Sequence, residues 1–293
     1  MKISTIIFSV ILVSSLVILS GAAQCPQSNQ TATNTAGLET SFVKDAPPVS
    51  VVVGNEFPIY ADILNKGGEF INAGTAKFYL GGLGPNFEGV KLTLTNDKTL
   101  AKESVFADQL TFAEKAKYTF PLQEMTVVPI ILTSCYSYGG RAQATLCITG
   151  SNESKVCQLS GEKLTASTAG PMQIANINEQ LLKDKLVLTF DITNEGTGEV
   201  FLPDTDCDKL ETHDFTETSK QGKVNVKITS RDNFNCKLIS AGSQISGMEG
   251  ISPVGKVICE NDISNQDYSS PMTIEIQYKY RDSISYNLNV IPA

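Results

Sequence analysis

Three carboxylates at alternate positions, Asp204, Asp206 and Asp208, are the best candidate metal ligands in this 293-residue chain. In Asp204-Thr-Asp-Cys-Asp208 they can converge on calcium if the loop curls, because calcium takes oxygen ligands in flexible geometry. Lys209 stands where a calcium loop has its sixth-position glycine, and Phe215 where it has its last glutamate. A solvated acidic loop is the simpler reading, since Asp is common at bends after strands. His213, the single histidine, lies close by in the polar run Glu211-Thr-His-Asp-Phe215, where surface exposure is the default. A Ser-His-Asp site would have to use it, and no Gly-x-Ser-x-Gly elbow exists. Gly81-Gly-Leu-Gly84 lacks the lysine and helix of a phosphate-cradling loop. The expectation is a chain with no catalytic residue and no cofactor.

Sulfur chemistry is the next possibility. Cysteines stand at 25, 135, 147, 157, 207, 236 and 259. Setting Cys25 aside leaves an even set, which in an exported chain reads as disulfides. Zinc is the weaker alternative, with one histidine and no Cys-x-x-Cys pair. Cys135 and Cys147 flank residues 139–143, whose glycines can bend a hairpin, so they are expected to pair across it. Cys236–Cys259 would stay within the second half, which leaves Cys157–Cys207 to staple the linker.

The elements that must position these groups follow from a pattern that occurs twice. Residues 57–67 and 186–196 are alternating strands ending in Asp-Ile-x-Asn-x-Gly. Asp62, Asn65 and Gly67 recur 129 residues later as Asp191, Asn194 and Gly196. Phe57, Ile59, Ala61 and Ile63 match Leu186, Leu188, Phe190 and Ile192 in phase, so both strands turn the same face to a core. A second match has an offset of 142: Cys135-Tyr-Ser-Tyr138 and Gln277-Tyr-Lys-Tyr280, each expected to open a closing hairpin. The tyrosines suit core packing with hydroxyls at the rim. A tyrosine-lined binding face is the alternative.

Short alternating runs separated by turn residues predict an all-β chain of two tandem immunoglobulin-like β-sandwich domains. The expected divisions are residues 1–24 as signal peptide or membrane anchor, 25–48 as a flexible polar tether, 49–150 as sandwich one, 151–171 as linker and 172–293 as sandwich two. Residues 96–117 have room for a short helix. The slip from 129 to 142 gives the second domain extra residues, most of them placed in the charged loop 203–222.

Residues 1–24 have a basic start at Lys2, an apolar middle and small residues at Ser20-Gly21-Ala22-Ala23, the layout of an export signal. Residues 3–23 are also long enough to serve as an uncleaved anchor. Cys25 directly behind them is a candidate for lipidation, although Gln24 replaces the small residue that usually precedes such a cysteine. Asn29 and Asn152 head glycosylation sequons. A net charge of −8 and the lack of a Lys/Arg cluster argue against a nucleic-acid partner.

The strand ending in Asn-x-Gly, entered through Val49-Ser-Val-Val-Val-Gly54, resembles the immunoglobulin-like domain named for bacterial cell-adhesion proteins (CARDB-like). The leader with Cys25, Tyr79-Leu-Gly-Gly-Leu-Gly-Pro-Asn86, Cys135-Tyr-Ser-Tyr138, Cys147-Ile148 and the Tyr278-Lys-Tyr280 strand resemble exported two-domain surface proteins of uncultivated archaea. The resemblance implies a cell-surface location and carries no activity. The expected role is adhesion, display or envelope structure, with the membrane held through the N-terminal segment and a protein or glycan as partner. Self-assembly into a filament by donation of residues 37–50 is the alternative, as is an accessory module of a secreted enzyme complex.

Overall fold

A computed structural model describes residues 35–151, 153–238, 248–262 and 266–293. Residues 1–24, expected as signal peptide or anchor, and the modification candidates Cys25, Asn29 and Asn152 lie outside the described residues. The chain is nearly all β. The first half holds β1 (Leu38–Phe42), β2 (Ser50–Val52), β3 (Glu56–Asn65), β4 (Ala76–Gly81), β5 (Phe87–Glu88), β6 (Thr93–Thr95) and β7 (Asp108–Tyr118). The long strand β8 (Thr126–Ile148) follows. The second half holds β9 (Leu164–Ser167), β10 (Met172–Leu182), β11 (Lys185–Asn194), β12 (Glu199–Phe201), and the short helices α1 (Cys207–Glu211) and α2 (Phe215–Thr218). It continues with β13 (Lys223–Ser230), β14 (Asn235–Leu238), β15 (Glu249–Pro253), β16 (Gly255–Asp262) and a second long strand, β17 (Tyr268–Ile291).

The repeated motif supplies β3 and β11. Each is the second strand of a four-stranded sheet, ordered β1-β3-β7-β5 in one half and β10-β11-β16-β14 in the other. Their matched apolar residues are all buried, as period-2 alternation requires. The halves do not simply follow one another. They share one nine-stranded sheet along the path β15-β13-β17-β8-β4-β6, with β12 and β2 beside β17 and β9 beside β8. The inner faces of all three sheets meet in one continuous hydrophobic core.

The joint is the β8–β17 ladder. It runs antiparallel from Thr126↔Val290 to Ile148↔Tyr268 without a break in register. The two expected closing hairpins are therefore corrected to two uninterrupted strands. Gly139 and Gly140 do not turn the chain, and neither is among the glycines with positive φ. Their missing side chains instead admit β17: a Cβ on Gly139 would lie 3.2 Å from the Ile276 carbonyl oxygen, and one on Gly140 3.2 Å from Ile276 Cγ1.

Other expectations also change. Residues 38–42 of the expected tether form β1, because Leu38, Thr40 and Phe42 alternate inward and pair with β3. The region allotted a short helix holds β7, and the expected linker contains β9. β12 and β13 run end to end along the same edge of β17, pairing with Lys279–Arg281 and Met272–Gln277. In the first half β4 alone takes the matching edge of β8. Residues 202–222 are looped out between β12 and β13, and here the second half carries its extra length.

Candidate functional site

Midway along the β8–β17 ladder, Ser137 pairs with Lys279, flanked by Tyr136↔Tyr280 and Tyr138↔Tyr278. The 142-residue offset carries Tyr136-Ser-Tyr138 onto Tyr278-Lys-Tyr280, so a local two-fold axis passes through Ser137 and Lys279. On the inner side the four tyrosine rings form a closed circuit. Centroid distances are 5.7 Å for Tyr136–Tyr138, 5.9 Å for Tyr136–Tyr280, 6.1 Å for Tyr138–Tyr278 and 6.3 Å for Tyr278–Tyr280. All are tilted or edge-to-face, the arrangement favoured by aromatic quadrupoles. The circuit is buried, so these rings pack in the core.

The hydroxyls reach the two signature turns in the same way. Tyr138 donates to Asn65 Oδ1 at 3.4 Å and accepts from the Glu69 amide at 3.2 Å. Tyr280 donates to Asn194 Oδ1 at 3.2 Å and accepts from the Gly198 amide at 2.8 Å. Each asparagine also closes its own turn, accepting from Gly67 or Gly196 at 3.2 Å and donating to Glu69 or Gly198. The Asn-x-Gly motif is thus a socket for a tyrosine. Its glycine is needed because an added Cβ would lie 1.9 Å from the Tyr138 hydroxyl at Gly67 and 2.2 Å from the Tyr280 hydroxyl at Gly196. The Tyr136 hydroxyl accepts from the Leu38 amide at 3.0 Å. The Tyr278 hydroxyl has no partner of good hydrogen-bond geometry. Burial raises all four phenols, Tyr138 to about 12, by disfavouring the phenolate.

On the outer side Lys279 Nζ donates to Ser137 Oγ at 2.7 Å. Burial, with the nearby charge of Lys77, lowers the Lys279 pKa. A hydroxyl against a depressed lysine is a nucleophile-type pair. Ser137, however, lies mid-strand between ladder partners, not at a loop or helix N-terminus where backbone amides gather as oxyanion donors.

The looped-out segment folds over this face. Cys207 of α1 bonds to Cys135 of β8, and both pack with Tyr79. Asp208 pairs with Lys77 and accepts from the Tyr79 hydroxyl at 2.7 Å. These two contacts, Lys77 foremost, lower the Asp208 pKa. Arg281 reaches Glu211 at 3.0 Å. The three candidate calcium ligands are drawn to separate partners: Asp204 to Lys220 at 3.2 Å, Asp206 to the Asp208 amide as the cap of α1, and Asp208 to Lys77. Among the described residues no group of three His, Cys, Asp or Glu is placed to hold a metal. His213 is exposed, beside the exposed Phe215.

The disulfides are Cys135–Cys207, Cys147–Cys157 and Cys236–Cys259. Cys236 and Cys259 face each other on β14 and β16, as expected. The expected Cys135–Cys147 bridge is not formed. Both lie on the single strand β8, about 40 Å apart at the rise of an extended chain, whereas a bridge needs Cα atoms within about 7 Å. With Cys135 taken by Cys207, Cys157 bonds to Cys147, and the expected Cys157–Cys207 bridge is likewise replaced.

At the far end of the second half, β10 turns Glu179 inward. Its carboxylate meets Lys163 Nζ at 2.6 Å, and both side chains are almost wholly buried. Its oxygens also accept from the Cys147 amide at 2.9 and 3.0 Å. Burial raises the Glu179 pKa, and the Lys163 and Cys147 contacts oppose that shift. No short-range pattern marks this pair in the sequence. The Ser137/Lys279 axis was marked by the 142-residue offset, whose meaning appears only once the strands are paired.

A cleft of about 280 Å³ lies between β1 and the second signature turn, lined by Leu38, Thr40, Tyr136, Glu195, Tyr280 and Asp282. A second depression of about 290 Å³ lies at the β13–β15 edge, among Asn225, Lys227, Glu249 and Gln277. No helix among the described residues is long and apolar enough to cross a membrane.

No family model matches the chain, and no curated protein matches it. Among solved structures it is similar to the secreted serine protease VesC from Vibrio cholerae, at 11% identity and a TM-score of 0.18. The match covers 83% of this chain and half of that one. A likeness this weak bears on neither fold nor function.

Proposed function

We propose that this is a non-catalytic, exported surface protein, tethered through its N-terminal segment, that displays or spaces a binding surface in adhesion or envelope structure. The observation that carries the reading is the set of three disulfides, which is consistent with an extracellular protein. The leader-like residues 1–24 and the Cys25 that follows point the same way. The shared sheet suits a mechanical or spacing role, because a long paired ladder resists bending between the halves better than a linker does. Binding would use loops and sheet edges, where β-sandwiches place their interaction residues. Intact mass of the natively produced protein, combined with surface labelling of producing cells, tests this. Cleavage near Ala23 or lipid on Cys25, six oxidised body cysteines and surface labelling support it. Reduced cysteines in an unlabelled intracellular protein would overturn it.

A second reading, subunit of an extracellular filament, draws on β1, an edge strand whose described ladder partner is β3. Exchange of β1 between copies would link them. Fibres formed by residues 26–293 and lost on deleting 26–48 would support it; a monomer at high concentration would exclude it.

A further inference from the structure

The two-fold axis predicts equivalent edges on the two long strands, yet they are closed differently. At the end of β17, β2 pairs in parallel with Asn289–Ile291. The Asn289 amide donates to the Val49 carbonyl at 3.1 Å, and the Val53 amide donates to the Ile291 carbonyl at 2.9 Å. Val51 is buried in the core there. The same offset of 142 carries Cys147 onto Asn289. Among the described residues no strand lies parallel to that end of β8. The Cys147 amide is met by the Glu179 carboxylate instead.

Three groups hold this substitute in place. Lys163 neutralises Glu179 and donates to the Gln158 carbonyl. Cys157 ties the 148–163 loop to Cys147. Antiparallel β9 covers only the earlier part of the edge, at Ala142–Ala144, with a last backbone bond from the Thr145 amide to Lys163. An open surface groove of about 330 Å³ lies beside the bridge, lined by Thr145, Cys147, Cys157, Gln158, Glu162 and Ser269.

We propose that the edge at residues 147–149 is a strand-acceptor site. It takes, in parallel, an extended segment of a partner chain with β-branched apolar residues at alternate positions. The Glu179–Lys163 pair and the Cys147–Cys157 loop are its removable plug. The occupant's chemistry is read from β2, whose sequence Val49-Ser-Val-Val-Val53 fills the equivalent slot and buries one valine. A dithiol reductant opens the plug: it reduces the Cys147–Cys157 bond to two thiols and closes to its own cyclic disulfide. The loop is then free to leave, and the incoming backbone replaces the carboxylate as acceptor for Cys147. Main-chain pairing gives such an edge its affinity, and the side-chain slot gives it selectivity. The site does not depend on the surface role proposed above.

The probe is a labelled peptide with the sequence of residues 48–54. Binding is compared between the oxidised protein and a Cys147→Ser/Cys157→Ser variant, with and without Glu179→Ala. Opening the plug raises the fraction of acceptor-competent protein, so the affinity rises about tenfold or more. Bound peptide slows amide exchange at residues 147–149, and a peptide with Pro at the Val51 position does not bind. The unmutated protein treated with dithiol gives the same contrast if the variants fold poorly. The proposal is overturned if the peptide binds no opened form, binds oxidised protein equally well, or leaves those amides unprotected.

Discussion

Against β2 of the first half the Asn289 amide donates to the backbone carbonyl of Val49; against β10 of the second its counterpart Cys147 donates to the side chain of Glu179. One edge is closed by a strand and the other by a buried charge pair and a disulfide. The tyrosine sockets show the opposite behaviour: Asn65–Tyr138 and Asn194–Tyr280 agree atom for atom. The difference separates two kinds of constraint. The sockets lie beside the two-fold axis, where both copies contact each other and a change in one disturbs the other. The edges lie at the far ends of the ladder, where each half closes its own sheet independently. The interrupted edge of the second half, with β12 and β13 flanking α1 and α2, is a similar local solution.

The largest break in this comparison should come from Lys163→Met. It leaves the Glu179 carboxylate buried without its cation, a change that typically costs about 3–5 kcal/mol. Adding Glu179→Leu should recover part of that cost, but not all, because the Cys147 amide still loses its acceptor. Denaturant midpoints of the two variants measure both effects. A loss below about 1 kcal/mol for Lys163→Met would mean the pair is hydrated, against its burial.

Next come Gly67→Ala and Gly196→Ala, which drive a methyl group into the Tyr138 and Tyr280 hydroxyls. Overpacking of this kind costs about 1–3 kcal/mol. The two variants should lose similar amounts, since the sockets are equivalent. Unequal losses, read from thermal midpoints, would show that the symmetry is only geometric.

Both glycines belong to the motif that is legible in the sequence, and the contrast with what is not legible is physical. Period-2 alternation in residues 57–64 and 186–193 sets the strand faces, because burial acts on each residue locally. The pairing of β8 with β17 depends on residues well over a hundred positions apart. Gly139 and Gly140 looked like a bend because glycine permits one. Here they serve the other use of a missing side chain, close approach of a neighbouring strand. The expected Cys135–Cys147 bridge rested on that bend, and the expected Cys157–Cys207 bridge rested on it in turn. The charged insert at 202–222 is recognisable as excess length, but short capped helices in a polar stretch leave little periodicity to read. β1 was hidden by its neighbours: only Leu38, Thr40 and Phe42 alternate, at the end of a Ser/Thr/Asn-rich run.

Alkaline pH gives a smaller and graded effect. The ring phenols are raised by burial, so the folded state keeps protons that the unfolded state releases above about pH 10. Stability is therefore unaffected below that range and falls as pH rises from about 10 to 12, by up to about 1.4 kcal/mol per pH unit for each tyrosine that stays neutral. Chemical unfolding across this range, with tyrosinate absorbance as the second readout, checks the sign. Flat stability with early tyrosinate absorbance would mean the ring is open to solvent.

The smallest effect expected is for Asp208→Asn, which weakens the Lys77 and Tyr79 contacts of the insert. Asp208 is largely exposed, and exposed ion pairs contribute about 0–1 kcal/mol. Because the Asp208 pKa is lowered, that contribution exists at neutral pH and disappears as the solution is acidified below the ordinary carboxylate range. Comparing this variant with the parent protein at neutral and acid pH isolates the term; the difference between them should vanish in acid.

The central claim is that the halves are one cooperative body joined through β8 and β17, not two domains on a linker. Differential scanning calorimetry of the oxidised protein tests it most directly. A shared ladder and core predict a single transition whose calorimetric enthalpy equals its van't Hoff enthalpy. Two resolved transitions, or a calorimetric enthalpy about twice the van't Hoff value, would contradict the shared sheet.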